Sequence, residues 1–374
     1  MITDKDQAFV DDYLQHYRRL IRNTDLIPNL IAFRDLCLRV RSTGNKLIFA
    51  GNGASASISS HAATEFTQHA NIRSVCFNDH SLITAFANDY GYEQWIVRSL
   101  EAYADPGDVV VLISSSGKSP NIVNAATSLR ERGIQSVVFT GFLPNNPLRS
   151  LGKPSFWVNS IAYNVVESVH LIWILTVANL LEQEGEDYAF IEKHFMEHQR
   201  AVFGVDKTAD LVAFRNLCTD VSKKGRKMIF AGNGGSASIA SHAATDFTKQ
   251  SKVRTICFND HNLISAFTND YGQEQWIAQC IEYYADVNDG IVLISSSGRS
   301  KNLLNAANLA RQKGLPLVTF TGFDAENPLR ELGHVNLWAD SQNYNITEAA
   351  HSVWIFCVAD MLKEDVVGEA SEKL

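Results

Sequence analysis

A chain of 374 residues with 45% hydrophobic and 20% charged residues has the composition of a globular protein, with room for two or three domains. Its formal net charge of -8 argues against nucleic acid as the main partner, because binding a phosphate backbone needs a basic surface. The 6 cysteines show no CxxC motif and no disulfide-like spacing, which favours a reducing cytoplasmic compartment. The longest apolar run, residues 169–181, is too short to cross a bilayer, so we expect no membrane partner.

The predicted elements of the first half alternate between helices and strands. Apolar residues at spacings of three and four predict helices, and short apolar runs that stop at glycine or serine predict strands. In chain order we predict helices at 8–22 and 27–43, a strand at 46–50, a helix at 55–67, a strand at 73–77, helices at 82–87 and 93–103, a strand at 108–113, a helix at 121–132, strands at 136–140 and 155–158, and a helix at 165–181.

The second half repeats the first at a shift of 181 residues. Residues 46–67 and 227–248 are identical at 18 of 22 positions. Self-similarity at a fixed period predicts two tandem domains, which we place at residues 1–184 and 185–374. Because apolar strands alternate with helices in each, the predicted fold class is α/β, with a parallel sheet covered by helices on both faces.

Two loops follow predicted strands and enter helices. The glycine loop, residues 51–55, reads Gly-Asn-Gly-Ala-Ser, and the serine loop, residues 114–119, reads Ser-Ser-Ser-Gly-Lys-Ser. Glycines allow a ligand to approach the backbone, and amide groups at a helix start favour an anion. With clustered hydroxyls and the positive charge of Lys118 or its counterpart Arg299, the loops predict a cup for a phosphomonoester.

Two other interpretations of these loops are open. The glycine loop matches the dinucleotide fingerprint, and Asp79 lies where a ribose-binding acid would follow the next strand. A serine-rich turn is also a common helix cap. A dinucleotide site does not need the serine loop, however, and both loops recur in both halves. The pair therefore favours phosphate binding.

Candidate acid–base groups lie on two helices of each half. His61 and Glu65 are four residues apart and share a helix face, and Glu167 and His170 are three apart on the last helix. A histidine on a buried helix can also be an ordinary core residue, whereas a buried carboxylate needs a partner or a function. The equivalent residues of the second half are His242, Asp246, Glu348 and His351.

These motifs resemble the sugar isomerase (SIS) domain family, and most closely its phosphoheptose isomerase branch. The resemblance rests on GNGxS, on His-x-x-x-Glu, on the NDYG segments at 88–91 and 269–272, and on the serine loop, and it covers both halves. It implies two tandem flavodoxin-like domains, a phosphorylated sugar as ligand and assembly of the chains. For a tandem chain the expected assembly is a homodimer that imitates a tetramer.

The resemblance also assigns roles by position. Glu65 would be the base that removes a proton beside the carbonyl, His61 would be its neighbour at a metal site, and Asn52 and Asp89 would face sugar hydroxyls. The phosphate would be held by Ser55, Ser114, Ser115, Ser116 and Ser119. The corresponding residues of the second half are Asn233, Ser236, Asp270, Ser295, Ser296, Ser297 and Ser300.

One departure from the family pattern affects the predicted activity. The family's last helix carries a glutamine and, eight residues later, a histidine that binds metal, but here these positions are Glu167 and Leu175, or Glu348 and Phe356. A divalent metal such as zinc at His61 and Glu65 is therefore uncertain as a cofactor. We carry two hypotheses: an aldose–ketose isomerase acting on a phosphosugar such as sedoheptulose 7-phosphate, and a phosphosugar sensor or scaffold without turnover.

Overall fold

The computed structural model describes residues 2–21, 23–183 and 185–371, and the side chains as far as residue 366. The chain divides into two compact units. The first-repeat unit is Tyr17–Met196, and the second-repeat unit consists of Met1–His16 and Glu197–Leu374. Two positions used in the predictions, Arg22 at the end of the first predicted helix and Glu184 at the proposed domain boundary, lie outside the described residues.

The two compact units thus have different boundaries from the two sequence repeats. The first residues of the chain group with the second repeat, where Arg215 Nη2 lies 2.8 Å from Asp6 Oδ1 and Gln7 donates to Thr208 Oγ1 at 3.2 Å. In the same manner Asp187, at the start of the second sequence repeat, pairs with Arg34 of the first-repeat unit. The boundary at 184 and 185 stays a prediction about the repeat.

The first-repeat unit is built on a parallel five-stranded sheet. The sheet order is β2-β1-β3-β4-β5, which is the flavodoxin-like order and confirms the predicted fold class. Its strands are β1 (Leu47–Gly51), β2 (Ser74–Cys76), β3 (Val109–Ser114), β4 (Gln135–Thr140) and β5 (Ser155–Trp157). The first eight helices are α1 (Asp4–Ile21), α2 (Ile27–Thr43), α3 (Ala54–Gln68), α4 (His80–Tyr90), α5 (Trp95–Tyr103), α6 (Pro120–Glu131), α7 (Tyr163–Leu180) and α8 (Asp187–Phe203).

Helices cover both faces of this sheet, because successive strand residues point to opposite sides. On one face, Ile48 and Leu112 pack in a cluster with Trp95 of α5 and Ile122 of α6. On the other face, an aromatic cluster joins the strands to α2, α3 and α7, with Phe49 and Phe66 at a ring-centroid distance of 5.5 Å. The remaining members of this cluster are Phe33, Phe139, Phe156 and Trp173.

Helix α7 is predominantly apolar and lies inside the unit. It is long and apolar enough to cross a membrane by length and composition, but 94% of that window is buried in the protein. Burial on all sides is the expected environment for a helix that is hydrophobic all round. We therefore interpret α7 as the core helix of its unit.

The second-repeat unit repeats this architecture. Its sheet order is β10-β9-β8-β6-β7, with all strands parallel. The strands are β6 (Met228–Gly232), β7 (Thr255–Cys257), β8 (Gly290–Ser295), β9 (Leu317–Thr321) and β10 (Val335–Trp338). The helices are α9 (Thr208–Lys223), α10 (Gly235–Lys249), α11 (His261–Tyr271), α12 (Trp276–Tyr284), α13 (Lys301–Gln312), α14 (Pro328–Leu332) and α15 (Tyr344–Ser371).

Most predicted elements of the first repeat are found within two or three residues of their expected bounds. The largest difference is in α1, which begins at Asp4 and not at the predicted residue 8. Helix α4, predicted at 82–87, is observed from His80 to Tyr90. It starts earlier because Asp79 Oδ1 caps it by accepting from the Leu82 amide at 2.9 Å, and it ends at Gly91, whose φ is 85°. The short 3-10 helices Thr24–Leu26 and Pro147–Ser150 were not predicted, since a single turn has no hydrophobic period.

Candidate functional site

The glycine loop and the serine loop leave the same edge of the first-repeat sheet. Strands β1 and β3 are parallel neighbours, and Gly51 is in register with Ile113. The two loops therefore begin side by side at the carboxyl ends of these strands, where open α/β sheets bind ligands. In the second-repeat unit, Gly232 is in register with Ile294 in the same way.

A reciprocal pair of side-chain amides joins the glycine loop to the start of α6, which directly follows the serine loop. Asn52 Nδ2 donates to Asn121 Oδ1 at 2.9 Å, and Asn121 Nδ2 donates back to Asn52 Oδ1 at 2.9 Å. Asn233 and Asn302 form the equivalent pair at 3.1 and 2.9 Å. The loops thus converge on one place in each unit, as the predicted cup requires.

The serines of the second loop face one another instead of capping the helix that follows. Ser119 occupies the N-cap position of α6, but its side chain makes no capping hydrogen bond. Its Oγ lies 3.2 Å from Ser114 Oγ, and the Ser116 hydroxyl accepts weakly from the Lys118 amide at 3.3 Å. The second repeat has the same arrangement in Ser295, Ser297 and Ser300. A purely capping role would have used the Ser119 hydroxyl.

Backbone geometry keeps the serine loop open toward an anion. Gly117 has a φ of 63°, and an added Cβ would lie 2.0 Å from Asn146 Oδ1, so this turn needs glycine. Asn146 braces the turn from below by donating to the carbonyls of Gly141 and Leu143 at 3.2 and 2.9 Å. Within the described residues no acceptor is found for the Ser119 amide. The N-termini of α3 and α6 both begin at the cup, and each carries a partial positive charge that favours an anion.

A buried carboxylate lies against each cup, but its contact differs between the units. In the first-repeat unit, Ser115 Oγ donates to Glu167 Oε1 of α7 at 2.9 Å. In the second-repeat unit, Glu348 accepts from Ser236 at 3.4 Å instead. The hydroxyl of Ser296, the counterpart of Ser115, is buried and has no hydrogen-bond partner among the described residues. Ser55, the counterpart of Ser236, is buried at the start of α3.

His61 and Glu65 are buried on α3, away from the loops of their own unit. Ten residues separate Ser55 from Glu65, so a rise of 1.5 Å per residue puts their backbones roughly 15 Å apart along the helix. The structure therefore brings Glu167, and not Glu65, into contact with the cup of the first-repeat unit. Glu65 Oε2 lies 3.8 Å from the half-exposed His69 Nε2.

The equivalent pair in the second-repeat unit is tighter. His242 Nε2 lies 3.2 Å from Asp246 Oδ2. Burial opposes ionisation of Asp246, but the nearby His242 imidazole, together with Gln250 and Lys249, outweighs burial and lowers the pKa of the carboxyl. The ring of Phe356 lies 3.9 Å from the His242 ring between centroids. Phe356 is the position at which the SIS resemblance implied a histidine, so an apolar ring covers the imidazole there.

Zinc sites normally use three or four protein ligands. Within the first-repeat unit taken by itself, the described residues supply His61 and Glu65 from one helix, and the position that would add a histidine is the buried Leu175. His61 and Glu65 are thus two candidate metal ligands from this unit. We derive no step through a metal.

The histidines of the last helices contact the sheet core. His170 Nε2 hydrogen-bonds the Thr140 carbonyl at 3.0 Å, and its ring packs edge-on against Phe139. His351 makes the same bond to Thr321 at 2.9 Å. Burial lowers the pKa of both imidazoles to about 4, despite the carbonyl hydrogen bonds. Neutral, buried and bonded to backbone, they have the geometry of structural residues.

The predicted sugar-binding aspartates lie on the surface. Asp89 accepts from the neighbouring Asn88 at 3.0 Å, and Asp270 accepts from Asn269 at 2.9 Å. Both are exposed near the ends of α4 and α11. Neither is hydrogen-bonded to a loop of the cup in the described residues.

Sequence reasoning missed four residues that shape the cups. Asn121 joins the loops and Asn146 braces Gly117, and both recur at a shift of 181 residues, so the repeat itself could have revealed them. Tyr92 donates its hydroxyl to Asn52 Oδ1 at 3.1 Å, and Asp324 pairs with Arg299 at 2.7 Å. These last two occur in one repeat only, and no local pattern marks their contacts.

Comparison with known proteins shows the family to which this chain belongs. The SIS domain family model matches residues 12–141 and 198–322. A phosphoheptose isomerase of Akkermansia muciniphila is 35% identical over 155 residues, which are 40% of this chain and 82% of that protein. The phosphoheptose isomerase of Nitratidesulfovibrio vulgaris is 33% identical over 175 residues, covering 45% of this chain and 80% of that protein.

A solved structure extends the likeness in fold to almost the whole chain. The C-terminal domain of glucosamine-fructose-6-phosphate aminotransferase from Francisella tularensis aligns with a TM-score of 0.66 over 95% of this chain and 96% of its own. Its sequence identity is 13%, so the likeness concerns the fold alone.

Proposed function

Since the chain belongs to the SIS domain family, we propose that each unit binds the phosphate of a phosphorylated sugar between its glycine loop and its serine loop. One observation carries the proposal: the Asn52–Asn121 pair holds the loops together while the Ser119 hydroxyl is left out of helix capping. The Ser119 amide, which has no acceptor among the described residues, the facing hydroxyls and two helix starts are groups of the kind that stabilise a phosphomonoester.

The reaction we propose is aldose–ketose isomerisation of a phosphosugar, with sedoheptulose 7-phosphate as the first substrate to test. The support is the likeness to proteins named phosphoheptose isomerase. Such a reaction needs a base to remove a proton beside the carbonyl and a group to stabilise the resulting oxyanion. Glu65 and Glu167 are the candidate bases, and Glu167 is the one in hydrogen-bond contact with the cup of its own unit.

A second function, phosphosugar binding without turnover, is favoured by the second-repeat unit. There the His242 imidazole is covered by Phe356 at 3.9 Å and paired with Asp246 at 3.2 Å. An imidazole enclosed in this way is poorly placed to exchange protons with a ligand. The chain would then sense a phosphosugar or serve as a scaffold, as the alternative hypothesis states.

Hydrogen exchange separates the two functions. The purified full chain is incubated with sedoheptulose 7-phosphate in deuterated water, and deuterium uptake at the carbon beside the carbonyl is followed by NMR. Uptake by the wild-type chain supports the isomerase, and loss of uptake in Glu167→Gln or Glu65→Gln with binding retained identifies the base. Because Gln keeps an Oε1 acceptor for Ser115, Glu167→Gln removes the charge while the contact can persist.

The control for this series is Glu131→Gln, at the exposed end of α6, which should leave uptake unchanged. Binding of the sugar without uptake by the wild-type chain would reject the isomerase and favour the sensor. Absence of binding as well would reject sedoheptulose 7-phosphate as the ligand in both functions.

A further inference from the structure

The two cups differ in what their central asparagine can offer a ligand, and this inference rests on the proposed function. The orientation of Asn121 is settled by the Ile122 amide, which donates to its Oδ1 at 3.0 Å. Asn121 therefore donates through Nδ2 to Asn52 Oδ1, and this fixes the orientation of Asn52 as well. The same reasoning holds for Asn302, whose Oδ1 accepts from the Leu303 amide at 3.0 Å.

In the first-repeat unit the oxygen of this asparagine is fully used. Asn52 Oδ1 accepts from Asn121 Nδ2 at 2.9 Å and from the Tyr92 hydroxyl at 3.1 Å. A carbonyl oxygen has two lone pairs, so none is left for a ligand. The amide nitrogen gives one hydrogen to Asn121 and keeps a second. Asn52 can thus only donate to a ligand.

In the second-repeat unit the same oxygen keeps one free lone pair. Gln273 is exposed at the position of Tyr92, and among the described residues Asn233 Oδ1 accepts from Asn302 alone, at 2.9 Å. Asn233 can therefore accept a hydrogen bond from a sugar hydroxyl and also donate one. The two amides are otherwise held by matching contacts.

We propose that Tyr92 is a specificity-determining residue: by occupying the Asn52 oxygen it makes the first cup indifferent to a ligand hydroxyl that the second cup recognises. The ligand class is the same in both cups, a phosphomonoester of a polyol. The difference is one hydrogen bond, which corresponds to about a 2- to 10-fold change in affinity.

The test compares two phosphomonoesters of similar length, glycerol 3-phosphate with two hydroxyls and n-propyl phosphate with none. Each cup is isolated in the full chain by disabling the other: Ser295→Ala with Ser300→Ala leaves the first, and Ser114→Ala with Ser119→Ala leaves the second. Affinities are measured by NMR titration. Tyr92→Phe should raise the preference of the first cup for glycerol 3-phosphate about 2- to 10-fold, and Gln273→Tyr should lower that of the second.

Tyr103→Phe is the matched control, since it removes an exposed hydroxyl at the end of α5, and it should leave the preference unchanged. An equal change for both probes in Tyr92→Phe would overturn the inference, because Tyr92 would then only support the loop. No change in either affinity would overturn it too. Failure of the parent chain to bind either probe would overturn the proposed phosphate function itself, a result distinguishable from the other two.

Discussion

Ser119 is the N-cap residue of helix α6, but its side chain makes no capping hydrogen bond, so its hydroxyl can bind a ligand. The hydroxyl lies 3.2 Å from Ser114 Oγ, and the Ser119 amide has no acceptor among the described residues. Two hydroxyls and helix-start amides together supply several donors to one anion, and donors to a charged group form stronger hydrogen bonds than neutral pairs do.

Removing the facing hydroxyls should weaken phosphate binding without unfolding the unit. We expect Ser114→Ala with Ser119→Ala to lose two charge-assisted hydrogen bonds, about 1.5 to 3 kcal/mol each, and so to weaken sugar-phosphate affinity in that cup by at least about 100-fold. Calorimetric titration measures the loss. The control is Ser128→Ala on the same helix, and similar losses in control and double variant would contradict the serine cup.

Acid should destabilise the fold through its buried histidines. His170, His194 and His351 each have a pKa lowered to about 4 by burial, whereas an unfolded histidine titrates near about 6.5. Between these values the unfolded chain binds more protons, so the free energy of unfolding falls as the pH falls from about 6.5 to 4, by at most about 1.4 kcal/mol per pH unit for each histidine.

His170→Gln tests this prediction, because glutamine can donate to the Thr140 carbonyl but does not titrate. The variant should have a stability–pH slope in that range that is smaller by about 1.4 kcal/mol per pH unit, measured by urea unfolding at several pH values. Ser128→Ala on α6, which removes no titratable group, serves as the control and should keep the wild-type slope. An unchanged slope in His170→Gln would show that this imidazole is protonated in the folded chain.

At the scale of elements, the cup is formed by the turns that follow the strands and not by the strands themselves. The serine loop turns into α6 through Gly117, and the bracing Asn146 comes from the segment after β4. Neighbouring strands therefore share the construction of one cup. A change that moves Asn146 should distort the loop although no hydroxyl is removed.

We expect Gly117→Ala to be far more destabilising than Gly133→Ala. Both glycines have positive φ, 63° and 69°, but a Cβ at Gly133 meets nothing within 4 Å, whereas at Gly117 it would lie 2.0 Å from Asn146 Oδ1. The shared backbone strain costs about 1 to 2 kcal/mol, and displacing Asn146 should add about 2 kcal/mol from lost hydrogen bonds. Urea unfolding of both variants compares the two costs, and equal losses would show that Asn146 does not brace the turn.

At the scale of the whole molecule, duplication gives one chain two cups that have diverged. Arg299 is paired with Asp324 at 2.7 Å, whereas the corresponding position in the first repeat is Leu143 and Lys118 has no ion pair among the described residues. The serine–glutamate contacts and the Tyr92 contact differ as well. Duplication thus lets the side-chain contacts of one cup change while those of the other are kept.

Two ligands should bind each chain, with unequal affinity. We expect calorimetry to give two sites in the wild-type chain and one after either serine pair is replaced by alanine. The first cup should lose more affinity with rising salt, because Lys118 is not neutralised by a carboxylate. A single site in the wild-type chain would contradict the prediction that both sets of loops bind a ligand.

We further propose that two tandem chains pair. Light scattering should then give twice the chain mass of 41.5 kDa, and a value at the single mass would reject the homodimer.

The sequence by itself determined the doubled α/β architecture, the parallel sheets and the positions of the glycine loop and the serine loop. It could do so because those features depend on local patterns: apolar runs, helical spacing, glycines at turns and a period of 181 residues. The tertiary structure decided which polar groups meet. Glu167 contacts the cup while Glu65 lies farther along α3, His170 is bonded to a strand carbonyl, and the first residues of the chain belong to the second-repeat unit. Such contacts join residues far apart in the chain, so no local sequence pattern predicts them.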